Sequence, residues 1–261
     1  MKKPDYPFTP KSTAYLAPGQ FWPIPLSVGG FACGRVLQLR EHGGRPDRRV
    51  FLAGLLDWHA LSPPTTTSIK GTSLSEVGAM HVKHFKTLNV QIVGLRPLEK
   101  DGVVIPNFIS PIGATRRQVW SGFHPVKLAE TLEELDLPQL STWGYNFISR
   151  LAEKKFGTIA TCELIAAAAT PKGTPGLTLE QAIALVHELN KRGMPVHSME
   201  SYERTEGQTE KPLRLDFSIL GLEGQLNWEH HENIEIANEL ALRKLNQAKL
   251  SGAKLEVIVW S

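Results

Sequence analysis

His81 and His84 stand three residues apart, a spacing at which two imidazoles on one helix face can converge on a single ion. No third ligand lies near them, and the positions sharing their stripe, Val77, Met80, Phe85 and Leu88, are apolar, so both read as packed histidines. His230 and His231, between Glu229 and Glu232, are adjacent. On a helix such neighbours point ~100° apart and cannot share a metal, whereas the flanking acids suit a helix N-terminus. Asp57, Trp58 and His59 end an expected strand, a place where catalytic groups often sit, but no serine or cysteine occupies a G-x-S-x-G elbow. Gly71, Gly78 and Gly113 belong to no G-x-G-x-x-G or P-loop pattern. No residue is therefore assigned as catalytic, cofactor-binding or metal-ligating, no cofactor is expected, and the chain reads as a protein other than an enzyme. Cys33 and Cys162, far apart among apolar or small residues, read as buried free thiols in a reducing compartment.

Charge is the remaining chemistry. Residues 1–125 carry 15 Lys and Arg against 7 Asp and Glu, whereas residues 126–261 carry 14 against 19. Arg35, Arg40, Arg45, Arg48 and Arg49 cluster around a Gly/Pro/Asp loop, and Arg116 and Arg117 form a second basic spot. Such a loop is either a solvated surface or a dock for an acidic partner, and Arg45, Arg48 and Arg49 are the candidate contacts. Aromatic residues are not interleaved with these arginines as base stacking would need, which disfavours nucleic acid. Nowhere do ~18 apolar residues run together, and no apolar segment follows MKKPDYPFTP, so a soluble cytoplasmic protein without a membrane partner is expected.

These groups need a scaffold, and 261 residues at 41% apolar content suit two small domains. From Pro18 to Leu39 two β-rich runs flank Gly29 and Gly30, a pair suited to the positive φ of a hairpin turn. Val50 to Leu56 reads as a buried strand, Ser75 to Leu88 as a helix and Val90 to Leu95 as a further strand. Residues 1–125 are thus expected to form a β-rich, antiparallel, barrel-like domain, with Trp22, Ile24, Leu26, Phe31, Leu37, Phe51, Leu55, Met80 and Phe85 in its core. Residues 126–157 read as a helical connector: a short acidic helix from Glu130 to Asp136, then a helix from Trp143 to Phe156 capped by Ser141 or Thr142 and closed by Gly157. Residues 158–261 read as a second α+β domain. Its elements are a helix opened by a Thr178/Gln181 capping box, strands at Val196–Glu203 and Leu213–Leu220, a helix over Glu232–Lys249, and a strand at Leu255–Val259. With a further strand at Thr158–Ile165 the order becomes ferredoxin-like, although Glu163–Ala169 has strong helix propensity.

The opening hairpin also carries a resemblance. Gly19, Phe21, Trp22, Ile24, Pro25 and Leu26, then a turn, then Gly34, Arg35, Val36 and Leu37, are similar to the start of the immunity protein 26 family of bacterial polymorphic toxin systems. The resemblance covers roughly residues 12–125 and implies a protein that binds and neutralises a cognate toxin by stoichiometric occlusion, with no catalytic residues. A two-domain interaction or regulatory protein unrelated to toxins, and a hydrolytic enzyme with an unrecognised site, are the other readings.

Overall fold

Gly29 and Gly30 do take positive φ, +149° and +80°, in the five-residue connection Leu26–Gly30 between β1 (Gln20–Pro25) and β2 (Phe31–His42). The computed structural model describes residues 5–112, 116–203, 211–212, 231–252 and 255–261. The fold is α+β, and its contacts divide the chain into two units, Met1–Pro25 with Phe31–Lys154, and Leu26–Gly30 with Lys155–Ser261.

In the first unit the chain continues through β3 (Arg45–Ala60), β4 (Leu74–His81), a short helix α1 (Lys83–Thr87) and β5 (Gly94–Leu95). It then forms β6 (Asn107–Ile112), β7 (Arg116–Ser121), β8 (His124–Leu128), α2 (Leu132–Leu135) and β9 (Ser141–Trp143). Six strands make one sheet in the order β5-β1-β2-β3-β4-β9, and β6-β7-β8 make a second of three. Both are open among the described residues, which corrects the barrel-like expectation. The physical reason lies in the outer strands: β5 pairs through two residues and β9 through three, too few to bring the sheet's ends together.

Eight of the nine expected core residues are buried, Trp22, Phe51, Leu55, Met80 and Phe85 without any accessible surface. Phe31 is only half-buried: it opens β2 at the turn, opposite Pro25 and Ala60, next to the point where β3 carries two extra residues against Ala32–Gly34. Phe31→Ala should accordingly lower stability by about 1–2 kcal/mol in urea denaturation, below the 3–5 typical of a full core phenylalanine.

The expected helix at Ser75–Leu88 is instead β4 followed by α1. The apolar stripe fits either form, but β4 supplies the antiparallel partner that the buried run of β3 requires, Phe51 facing Met80. Gly78, a poor helix residue, is there because a Cβ would overlap the Trp143 ring. The strand expected at Val90–Leu95 shortens to Gly94–Leu95, with Ile92 bridging Phe8. Pro23 and Pro25 fit β1 for a geometric reason. The Phe21 carbonyl accepts the Val93 N–H at 3.0 Å, so by the two-residue period the nitrogens of both prolines face away from β2 and the missing donors leave that ladder intact. Acidic α2 is capped as a box, Thr131 with Glu134, and Glu134 also pairs with Lys127.

Helix α3 runs from Phe147 to Ala168, passing through Gly157. Gly157 is therefore not its C-cap and Thr158–Ile165 is helix rather than strand; the β-α-β-β-α-β order of the described elements in the second unit opens instead on a two-residue strand at Leu177–Thr178. A single interior glycine costs about 1 kcal/mol, which the alanine-rich end of α3 offsets. Within the second unit follow β10 (Leu177–Thr178), α4 (Leu179–Lys191), β11 (Ser198–Glu203), β12 (Lys211–Pro212), α5 (His231–Leu250) and β13 (Leu255–Trp260). The sheet order is β10-β13-β11-β12, and the expected strand at Leu213–Leu220 lies outside the described residues. The Thr178/Gln181 capping box opens α4 as read from sequence. Leu255, Val257 and Val259 alternate inward, and α4 packs on both β13 and α5. Buried Asn238 fastens α5: its carbonyl accepts from Val196 N–H at 2.9 Å, and its amide donates to Asn190 and to the Met194 carbonyl, each at 3.0 Å.

Candidate partner-binding surface

Arg45, Arg48 and Arg49 do not sit in a loop. They belong to β3, which turns back from β2 through Gly43 and Gly44 (φ +58° and +72°), with His42 facing Arg45 and Glu41 facing Pro46. Between that pairing and Leu39 opposite Phe51, β2 advances two residues and β3 five, so three extra residues of β3 bulge outward. The bulge is held internally. Asp47 Oδ1 accepts the N–H groups of Arg49 and Val50 at 2.8 and 3.2 Å, and the Asp47 carbonyl accepts the Thr13 hydroxyl. The three arginines are exposed, so the sequence places three cations on a braced two-stranded ribbon. Arg40 on β2 adds a fourth: its guanidinium lies 5.8 Å from the centre of the Phe123 ring and 4.0 Å from Asp47. Arg116 and Arg117, also exposed, stand on β7.

Beside this ribbon is a cleft of about 350 Å³ whose lining includes the aromatic residues Phe108, Trp120 and Phe123, the small residues Ala79 and Thr142, and the charged residues Arg40 and Glu41. A second groove, of about 590 Å³, is lined by Ser73 to Val77 and by Val103, Val104 and Pro106.

Arg35, counted from sequence among the basic cluster, is fully buried. One Arg35 nitrogen donates to the carbonyls of Arg96 and Pro97, at 2.6 and 3.2 Å, and to Asp101 Oδ2 at 2.9 Å. Asp101 also accepts from Arg96 Nε at 2.8 Å and from Gly71 N–H at 2.9 Å. Burial by itself would raise the Asp101 carboxyl; the hydrogen bonds from Arg96, Gly71 and Arg35 outweigh it and hold the pKa down to about 2. This trio fixes the loop after β5 to β2, and Arg35, fully buried, presents no charge at the surface.

The histidines do not converge. Buried His84 hydrogen-bonds through Nδ1 to the Tyr145 carbonyl at 2.6 Å, and its ring meets Trp22 edge-on at 5.9 Å. His81 closes β4 and accepts the Lys83 N–H at Nδ1, 3.0 Å away. Burial lowers the His84 pKa, with the Tyr145 carbonyl opposing. A folded-state pKa below the unfolded value means that its contribution to stability is present above about pH 6.5 and is lost as pH falls below it. Urea midpoints should therefore drop between about pH 7.5 and 5.5, and His84→Gln should flatten that dependence. Among the described residues no three His, Cys, Asp or Glu are placed to hold a metal ion.

Trp58 packs against the Phe21, Cys33, Leu56 and Ile69 cluster, which gives the Asp57–His59 segment a structural role. His230, Glu229 and the side chains of His231 and Glu232 lie outside the described residues. Cys33 is buried, which pushes its thiol up, whereas Cys162 is exposed on α3, correcting the expectation of two buried thiols. It lies on the outward side of a helix whose neighbouring Thr161 turns inward. Among the described residues no helix is long and apolar enough to cross a membrane. Sequence reasoning located the ribbon arginines but missed the cleft, whose walls come from β6, β7 and the turn into β8. The one local signal was the phenylalanine after the tight Gly122 turn, unexplained by strand alternation. Comparison with protein-family models, with curated proteins and with solved structures gave no match to this chain.

Proposed function

We propose that this chain is a non-catalytic binding protein of immunity type, which neutralises a cognate bacterial toxin by covering it in a stoichiometric complex. The β2–β3 ribbon is the docking element, with Arg45, Arg48 and Arg49 as charged contacts. One observation carries the reading: three exposed cations stand on a paired, bulge-braced ribbon rather than on a free loop. A pre-ordered cationic surface loses little conformational entropy on docking, and its field speeds encounter with an acidic partner more than it raises affinity. The resemblance of the opening hairpin to immunity proteins supports a toxin as that partner.

The test is capture of a partner from the native cell by the tagged full chain, followed by association kinetics with the purified partner. Replacing Arg45, Arg48 and Arg49 together by Glu should leave the fold intact, slow association about tenfold or more at low salt, and weaken its salt dependence. The captured protein should be toxic when expressed without this chain. An unchanged association rate at low salt, or a harmless partner, would overturn the reading.

A further inference from the structure

We infer that the cleft beside the ribbon is an anchor pocket for one aromatic side chain of the partner, carried next to a carboxylate. The inference rests on the docking reading above and names what the partner must present there. About 350 Å³ is at the small end of ligand sites and suits a single indole or phenol ring. Phe108, Trp120 and Phe123 supply aromatic walls, so a ring can stack or meet them edge-on. Apart from the Glu41 carboxylate, the charge in the lining is the Arg40 guanidinium, already against the Phe123 face. Its acidic neighbour Asp47 stands at 4.0 Å, the outer limit of an ion pair, while Asp47 Oδ1 is taken by two backbone N–H groups. Arg40 therefore keeps donors for an incoming carboxylate, and Glu41 repels a second one on its own side. Arg40 shares a ribbon with Arg45, Arg48 and Arg49, so steering charge runs directly into the anchoring cleft. Aromatic anchors in walled pockets with polar rims are where binding energy concentrates in protein interfaces.

The probes are two blocked dipeptides, N-acetyl-Asp-Trp-amide and N-acetyl-Lys-Trp-amide, titrated into the ¹⁵N-labelled full chain. Saturable shifts centred on the amides of Phe108, Gly122 and Phe123 are expected with the Asp-Trp probe, and about fivefold weaker binding with Lys-Trp. Arg40→Gln should erase that preference, and Ser110→Trp, which fills the cleft from β6, should abolish both titrations. Should Ser110→Trp fail to fold, the Arg40→Gln comparison decides alone. No saturable shift at those amides, or equal binding of the two probes, overturns the anchor. The two proposals fail separately: a silent cleft with association still slowed by the triple arginine reversal removes only the anchor. Unchanged association in that reversal removes the docking role of the ribbon, whatever the dipeptides do.

Discussion

Asp101→Ala is expected to lower the unfolding free energy by about 3–5 kcal/mol, because it leaves the Arg35 guanidinium buried without its counter-charge. Domain stabilities are themselves about 5–15 kcal/mol, so this variant will be only marginally folded. The informative comparison is therefore Arg35→Met with Asp101→Asn in one chain. With the buried cation gone, the pair should lose less than Asp101→Ala alone, as measured by urea denaturation. The pH dependence has a definite sign. With its folded-state pKa held down to about 2, below the ordinary carboxylate value of about 3.9, Asp101 stabilises the fold fully above that ordinary value. That contribution drains away as pH falls from there through 2, so wild-type stability should decline over this window more steeply than that of the double variant.

Trp22→Ala should remove about 3–5 kcal/mol, since the ring is fully buried and meets Phe85, His84 and Phe51 edge-on at 5.1, 5.9 and 6.2 Å. The same contact is testable from the other side. A Cβ on Gly34 would run into the Trp22 indole, 2.8 Å from Nε1, so Gly34→Val should also destabilise by overpacking. Because both changes act on one volume, Gly34→Val combined with Trp22→Leu should lose clearly less than the sum of the two single losses. Strict additivity would show that the indole does not rest on Gly34.

These two sites also show what a sequence yields and what it withholds. The β1–β2 hairpin was legible because Gly29 and Gly30 mark the turn and alternation marks the faces, both local signals. The Thr178/Gln181 box was legible for the same reason, since the cap lies within four residues of what it caps. Helix and strand could not be told apart at Val77, Met80 and Phe85, where the spacing suits a helix but the partner, β3, decides. Arg35 read as one more surface cation because Asp101, which draws it inside, lies 66 residues further on. Of the candidate site, the ribbon cations were visible as composition. The cleft was not, since its walls are assembled from residues 40 to 142 and no short window contains it.

The outward-facing prolines of β1 bear on solubility. β5 covers only Gln20 and Phe21, so from Trp22 to Pro25 the margin of the larger sheet is the place where another polypeptide's strand could add on. Pro23 and Pro25 remove the two donors such an intruder would need, while β9 blunts the opposite margin with a strand of three residues. Pro23→Val would leave the native ladder to β2 untouched and hand a growing aggregate its first hydrogen bond. It should surface as concentration-dependent light scattering and slow oligomer formation in a protein with an unchanged melting temperature.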